Sequence, residues 1–497
     1  MRFTILFSSC CLGLASAAAA QTSTPVQRPM SLNECIALAV QHNLSIQIDQ
    51  LGPEIAQHNL GSAIGVMYDP SLGATFRQSY NSIPGRIDAT TGLPNFPAEN
   101  YTDLYSTSLR ENTPFGSTIS VSGSVTRDSG TSFPGGFQYR DVASLNLTQP
   151  LLKNLWIDGN RLTILLDKKE IEKSELTLRQ TLMTTINTVQ DAYYDLMFNM
   201  ENVKVQKKAL ELAEQLLAEN KKRVEVGALA PLDEKQSESQ VATSKADLLQ
   251  ALADLGTQQN RLRSILTDDY ANWHDTYIVP TENLVAVPQL YDLQESWRKG
   301  MSARPELLKA RIDVEKQDIT LKYNFNQLFP QLDLTASYGY NGVGGTLDKS
   351  LNGIQQGGNQ FYSYGLVLTV PLGNRDARGK YKAGKAVVQQ LLLSLKKLEQ
   401  DALSDIDNAV KSARTYFEKV DATRQARLYA EAALDAERKK LENGKSTSFI
   451  VLQLQKDLTA ARSNEIRALA DYNKSLADLA FKEGATLERA NVAIELK

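Results

Sequence analysis

Leu145–Asn146–Leu147–Thr148–Gln149–Pro150–Leu151 is echoed 221 residues later by Leu366–Val367–Leu368–Thr369–Val370–Pro371–Leu372. In both copies two leucines fall two residues apart, Leu145 and Leu147 and then Leu366 and Leu368, shortly before a proline, which is the period of a β-strand. In both copies a very long stretch without Pro or Gly follows, residues 160–226 and 385–443. The echo extends in both directions. Upstream, Asp69–Pro70–Ser71–Leu72 matches Phe329–Pro330–Gln331–Leu332 at an offset of 260. Downstream, Gly227 matches Gly444, and Ala251–Leu252–Ala253–Asp254 matches Ala468–Leu469–Ala470–Asp471, both at an offset of 217. The chain is an internal duplication whose unit is a strand pair leading into long helices.

The strand segments show period-2 alternation. Leu72, Ala74, Phe76 and Tyr80 oppose Ser71, Thr75, Arg77 and Ser79, with Gln78 the polar intruder on the apolar side. Residues 331–340 place Leu332, Leu334, Ala336, Tyr338 and Tyr340 against Gln331, Asp333, Thr335 and Ser337, and Tyr362, Tyr364, Leu366 and Leu368 continue the pattern. In 117–126, Ile119, Val121 and Val125 alternate with Ser and Thr. Segments of about ten residues with one apolar face fit a transmembrane β-barrel, and equally a soluble sheet with one wet face. Residues 81–100 and 128–137 read as long loops, and 112–116 as a tight turn. The first repeat thus carries up to four strands where the second carries two.

The helices take much of the rest. A helix over 160–226 is about 100 Å long at ~1.5 Å per residue. Leu182, Ile186, Val189, Tyr193, Leu196, Met200 and Val203 step by four and three, as do Ile406, Ala409, Ala413, Tyr416 and Val420, which is a coiled-coil seam. Each long helix turns at a glycine and returns. An earlier helical stretch, 31–68, opens on a capping box of Ser31 and Glu34, with Asn43 and Pro53 expected to divide it and Gly61 weakening it.

The organisation expected is a signal peptide over 1–20, a first repeat over 21–267 (strands within 70–150, long helices within 155–266), a connector over 268–300 carrying Trp273 and Trp297, and a second repeat over 301–497 (strands within 330–371, long helices within 376–483). Arg2, the apolar residues 4–19 and Ala18–Ala19–Ala20 before Gln21 fit secretory cleavage. Lipidation at Cys10 or Cys11 is the alternative, although Phe7–Ser8–Ser9 lacks the aliphatic residue such a site expects. Cys35 is then alone in the mature chain, which rules out a disulfide framework.

Lys and Arg number 54 against 57 Asp and Glu, a balance that argues against a nucleic-acid partner. No internal run of about 18 apolar residues marks a membrane-spanning helix. His42, His58 and His274 have no metal-ligand spacing. Asp268–Asp269 reads as a helix end, and Gly342–Val343–Gly344–Gly345 as a loop between strands, not a phosphate cradle. No nucleophile has an attendant base, so neither catalysis nor a cofactor is expected.

A leader, a helix–strand–strand–helix duplication and glycine-marked helical tips together resemble the TolC family of outer-membrane efflux proteins. The resemblance covers nearly all of the mature chain. It is most specific in Leu147–Thr148–Gln149–Pro150–Leu151, in Arg223–Val224–Glu225–Val226–Gly227–Ala228–Leu229–Ala230–Pro231–Leu232–Asp233, and in Ala303–Arg304–Pro305–Glu306–Leu307. It implies an α+β membrane protein: a homotrimer whose strands close one transmembrane β-barrel, continued by a long periplasmic α-helical barrel of coiled-coil helices. The implied function is a passive conduit of a tripartite efflux or type I secretion system, with a periplasmic adaptor and an inner-membrane pump as partners and outer-membrane lipid around it. A non-pore periplasmic coiled-coil scaffold or adaptor is the alternative. The family's usual four strands per subunit give twelve. The extra hairpin at 103–127 opens two other possibilities, six per subunit and hence eighteen, or a hairpin lying beside the mouth, with twelve preferred.

The resemblance also implies site residues. Adaptor docking falls to the turns at Gly227, Ala228 and Leu229 and at Gly444, Lys445, Ser446 and Thr447, although both glycines would serve equally as plain helix caps. In the family's archetype, acidic residues six and nine positions after the second tip glycine form a ring at the periplasmic end. Here those positions are Ile450 and Gln453, so an apolar constriction of Ile450 with Phe449 or Leu452 is expected instead, with Asp233 at the matching place in the first repeat.

Overall fold

The computed structural model describes residues 26–85, 87, 90–93, 97–133, 135–227 and 229–492. The expected signal peptide, its cleavage site and Cys10 and Cys11 lie outside them. In chain order the elements begin with β1 (Val26–Met30), α1 (Leu32–His42), α2 (Leu44–Tyr68), β2 (Ser71–Ile83), β3 (Ala98–Asn112), β4 (Thr118–Gly130) and β5 (Gln138–Pro150). The long helix α3 (Gly159–Glu225) and its return α4 (Pro231–Leu266) come next, then α5 (Tyr270–Trp273), β6 (Thr276–Pro280) and α6 (Leu293–Ala303). The second repeat runs through α7 (Pro305–Asn326), β7 (Gln331–Gly344), α8 (Leu347–Gln355), β8 (Gln360–Thr369), the 68-residue α9 (Arg375–Glu442), α10 (Ser448–Lys482) and α11 (Thr486–Arg489).

Two compact units share these elements. One takes residues up to Leu44 with Thr185–Gln289 and Ser412–Ala477; the other takes Ser45–Thr184, Leu290–Lys411 and the residues from Asp478.

The second unit holds a six-stranded sheet in the order β2-β3-β4-β5-β7-β8, antiparallel throughout. The extra hairpin, β3 with β4, therefore lies inside the sheet between β2 and β5. This removes the arrangement in which it folds beside the mouth. Its register is continuous with its neighbours over 13 residue pairs from Ser71–Arg110 to Ile83–Ala98, so it is fully part of the wall. Among the described residues β2 and β8 each pair on one side only.

Alternation along each strand becomes two faces across the sheet. One transverse row reads Leu72, Leu109, Val121, Leu145, Tyr338, Tyr362, and all six are exposed. The adjacent row on the other face reads Ser71, Arg110, Ser120, Asn146, Ser337, Ser363. A contiguous apolar face of this width is not left to water in a soluble monomer. Gln78 is not an isolated intruder: it faces Asp103, whose carboxylate pairs with Arg127 at 3.3 Å on the same face.

The helix α8 was not foreseen. It joins β7 to β8 and folds onto the apolar face, where the Ser350 hydroxyl donates to the Asp141 carboxylate at 2.5 Å. The reading of residues 342–345 as a loop is corrected here: β7 runs through Gly344. Gly342 is where α8 crosses closely, since a Cβ there would sit 2.0 Å from the Ser350 carbonyl oxygen.

Ser31 and Glu34 form the capping box of α1, and the first helical stretch breaks at Asn43. It does not break at Pro53, which lies inside α2. An internal proline costs about 3 kcal/mol through a lost N–H bond and ring clash. Packing on α3 offsets it: a Cβ at Gly52 would lie 3.9 Å from that of Ser174, and the Thr181 hydroxyl donates to Asp49 at 2.5 Å.

In the first unit, Ile186, Val189, Tyr193 and Leu196 of the α3 seam are fully buried. The Tyr193 hydroxyl donates to the Met30 carbonyl at 3.1 Å on β1, which pairs in parallel with β6. Val420, Ala468 and Tyr472 form a second cluster with Tyr416 and Phe417. Asp195, almost buried, gathers Lys474 at 3.0 Å, Arg467 at 3.3 Å and Arg261 at 3.7 Å. Cys35 is buried, and burial pushes its thiol up to about 12. No helix of the described residues is long and apolar enough to cross a membrane.

Candidate functional site: the helical tips

The helices α3 and α9 turn back through short loops at Gly227 and Gly444, with φ of 75° and 71°. A Cβ on either would meet nothing within 4 Å. Glycine is demanded by the left-handed backbone alone, not by crowding. At the first turn the Gly227 N–H reaches the Val224 carbonyl at 2.9 Å and the Leu229 N–H reaches that of Arg223 at 3.3 Å. At the second, the Lys445 N–H reaches the Lys440 carbonyl at 2.9 Å, a six-to-one closure. Ala228 lies outside the described residues. Leu229 is half-buried; Lys445 and Thr447 are exposed. Ser446 is engaged, its hydroxyl donating to Glu437 at 2.5 Å. The Lys440 ammonium at 2.9 Å, and then this hydroxyl, hold the Glu437 carboxyl below its ordinary value.

The residues expected at a gate divide. Phe449, Ile450 and Gln453, on the first turns of α10, are exposed. Leu452 is buried with Leu216, Leu434, Leu441, Val451 and Leu458. Its side chain also forms the floor of a groove of about 390 Å³ between α4 and α10, flanked by Leu232, Gln236, Phe449 and Gln453. Asp233 sits in the first turn of α4, where a carboxylate favours the positive end of the helix dipole. The described structure gives it no ion pair.

A feature the sequence reading missed braces these turns. Asn220 of α3 is fully buried; its amide donates to the Ser237 hydroxyl of α4 at 2.8 Å and its carbonyl accepts from the Ser448 hydroxyl of α10 at 3.1 Å. Ser237 in turn donates to the Asp233 carbonyl at 2.9 Å. Three helices are tied by one amide in an apolar seam, where each partner would be expensive to lose. The signal was present: Ala213, Leu216 and Asn220 keep the three-and-four step of the seam. Among the described residues no group of three or more His, Cys, Asp or Glu could hold a metal ion.

An open antiparallel sheet with one apolar face, duplicated helical hairpins and glycine tips define a subunit of a multi-chain β-barrel channel with a helical-barrel extension. The chain belongs to the outer membrane efflux protein family, whose description matches residues 112–267 and 300–484, more than half of the sequence. Its place is accordingly the outer membrane, with a periplasmic extension. Among curated proteins it is similar to the outer membrane protein TolC of Vibrio cholerae, 24% identical over 359 residues, 70% of this chain and 77% of that protein. Among solved structures it shares its fold with the CmeC outer membrane channel of Campylobacter jejuni (TM-score 0.66, 16% identity, covering 92% of this chain and 86% of that one). It does so equally with the outer membrane protein VceC of Vibrio cholerae (TM-score 0.66, 18% identity, 91% and 96%) and the open-state MtrE channel of Neisseria gonorrhoeae (TM-score 0.65, 17% identity, 92% and 89%).

Proposed function

We propose that three copies of this chain form a passive conduit through the outer membrane, fed by an inner-membrane pump through a periplasmic adaptor. The observation that carries this reading is the sheet: six strands with an apolar row across all of them and an unpaired edge at each end. Unpaired edges in lipid must be closed by other chains, since no water is there to satisfy their N–H and C=O groups. The apolar face meets lipid and the polar face, with Arg110, Ser120, Asn146 and Ser337, lines the bore.

The turns at Gly227, Ala228 and Leu229 and at Gly444, Lys445, Ser446 and Thr447 are the adaptor contacts in this reading. The exposure of Gly227, Gly444, Lys445 and Thr447 and the open space around both glycines support it. Phe449 and Ile450 form the apolar part of a constriction that closes by packing and dewetting, with Asp233 and Gln453 beside them and Leu452 anchoring them to the core. Drug efflux, metal efflux and protein secretion all fit a polar bore, and the choice among them falls to the pump.

The test is single-channel conductance of detergent-purified protein in a planar bilayer, with the oligomer mass measured alongside. Ion-conducting trimers support the conduit. A protein that needs no detergent and never conducts leaves only the coiled-coil scaffold.

A further inference from the structure

The duplication leaves one junction made and one unmade. Inside the chain, the exit of the first repeat (β5 into α3) meets the entrance of the second (α7 into β7): β5 and β7 pair antiparallel. Below them Lys316 bonds Glu170 at 2.5 Å, Lys173 bonds Asp313 at 2.6 Å and Lys169 bonds Glu315 at 2.9 Å. The exit of the second repeat (β8 into α9) and the entrance of the first (α2 into β2) have no such partner in the described structure. Both free edges run in the senses that pair antiparallel, and both carry the apolar face to the rim of the sheet.

We infer that the β8–α9 edge of one copy docks on the α2–β2 edge of the next, reproducing the β5·β7 junction and making the trimer's barrel eighteen-stranded. The inference rests on the trimeric conduit above and adds its interface, register and size. Eighteen is six strands from each of three copies.

The repeat offsets convert the observed junction into the unmade one. Leu147 faces Ala336 and Ala143 faces Tyr340. Moving the first of each pair forward by 221 and the second back by 260 sets Leu368 opposite Phe76 and Tyr364 opposite Tyr80. All four lie on the apolar face, so this register carries the lipid-facing band across the seam unbroken, whereas a slip of one residue would turn one edge inside out. The helices agree. In them α3 and α9 correspond at 217, which sets buried Val189 on buried Ile406 and buried Ala192 on buried Ala409. Likewise α2 and α7 correspond at 261, which sets buried Ile46 on buried Leu307. The Glu170–Lys316 ion pair then maps to Val387 and Ile55, and Lys309, whose ammonium bonds Gln180, maps to Ile48. Ile48, Ile55 and Val387 are exposed at 67%, 58% and 37% in the single chain. The other two ion pairs map to Gln390 with Gly52 and to Ala386 with Glu54. No rung of the charged ladder is therefore kept as an ion pair between copies, and an apolar contact of Val387 with Ile55 replaces one of them, as a surface buried by assembly favours. A head-to-tail contact of this kind closes a ring or propagates, and the continuous barrel selects the ring.

The test is disulfide cross-linking of the full chain in its membrane, pairing Phe76→Cys with Leu368→Cys. Oxidation is expected to give covalent species up to the trimer with both substitutions and none with either alone. Pairing Tyr80→Cys with Leu368→Cys moves the thiols about 13 Å apart along the strand, beyond the ~7 Å that a disulfide spans, and is expected to give nothing. Cys35, buried and with its thiol pushed up to about 12, does not compete. The size is read separately in proteoliposomes. A membrane-impermeant thiol reagent is expected to label Ser106→Cys, on the bore face of β3, and not Tyr105→Cys on the lipid face. Conducting trimers that cross-link only the shifted pair, or neither, overturn the register. Equal labelling at 105 and 106 takes the hairpin out of the wall and returns the barrel to twelve. A chain that never forms conducting trimers defeats the conduit reading itself, a distinct result.

Discussion

Asn220 and Glu437 occupy the same place in the two repeats, 217 residues apart, each on the last turns of a long helix before its glycine tip. They brace those tips in opposite ways. Asn220 is sealed in the seam and ties α3 to α4 and α10. Glu437 keeps to its own hairpin, taking Ser446 from the turn and Lys440 from the next turn of its helix. The duplication therefore preserves the backbone, including φ at both glycines, while the side chains give one tip a neutral, inter-helical lock and the other a charged, local one. The neutral lock also reaches the second tip, because Ser448, at the start of α10, is one of its members; the charged brace belongs to the second tip alone.

The sharpest way to break this contrast is to remove the amide. Asn220→Leu leaves the Ser448 hydroxyl buried without its acceptor and Ser237 without its donor, each costing about 1–3 kcal/mol. We expect the helical unit to lose roughly 3 kcal/mol in thermal or denaturant unfolding, while Glu437→Gln leaves the transition nearly where it was. Equal losses at the two positions would mean that both locks are inter-helical and the contrast is false.

Backbone substitution is next in size. Valine in place of Gly227 or Gly444 forces a β-branched residue to positive φ, at about 1–2 kcal/mol, and neither position adds a clash. The two losses should match within error, and asparagine should cost less at both. A much larger loss at one tip would reveal a neighbour there in the assembled protein, and would sharpen the docking assignment to that turn.

Third come exchanges at the matched pair Asp233 and Ile450, also 217 apart. Ile450→Asp puts an acid at the matched position of both repeats, so the proposed constriction would carry six carboxylates from three copies where Asp233 alone supplies three. Current through a bilayer should then fall several-fold in millimolar divalent cation, and the parent should not respond. Ile450→Ala, which would thin the proposed apolar constriction, should raise open frequency. A parent already blocked by divalent cations would show that Asp233 alone forms the cation ring.

How far these features could be read in advance follows from the range of the forces that fix them. Strand alternation and the uninterrupted seams are local patterns, and Gly227 and Gly444 are visible because no other residue adopts their φ freely. The same locality explains the misses. Leu347, Leu351 and Ile354 have helical spacing, but α8 has nine residues between glycine-rich flanks and forms only because the sheet buries Ser350. Pro53 looks like a break until α3 lies alongside it. Asn220 looks like a solvated position until Ser237 and Ser448, 17 and 228 residues away, close around it. The hairpin of β3 and β4 was legible as strands, but its place in the wall was not, because register with β2 and β5 is a property of the sheet.

The smallest effect separates the tips by pH. Lys440 and Ser446 hold the Glu437 carboxyl below its ordinary 4.5. A carboxyl whose folded value is depressed stabilises the fold above its unfolded value and loses that contribution as pH falls through the folded one. The second hairpin should therefore loosen as pH drops below about 4.5, while the first, braced by a neutral amide, should not. Amide hydrogen exchange at the two turns reads this directly: protection of Lys445 should fall with acid relative to that of Leu229, and Glu437→Gln should abolish the difference. Glu437 is half-buried but its Lys440 partner is exposed, so the pair is screened and the change is small in free energy. It is nonetheless specific, because acid acts on one repeat and leaves its copy as an internal control. Equal loosening at both turns would place the titrating group elsewhere in the helical unit and sink the assignment to Glu437.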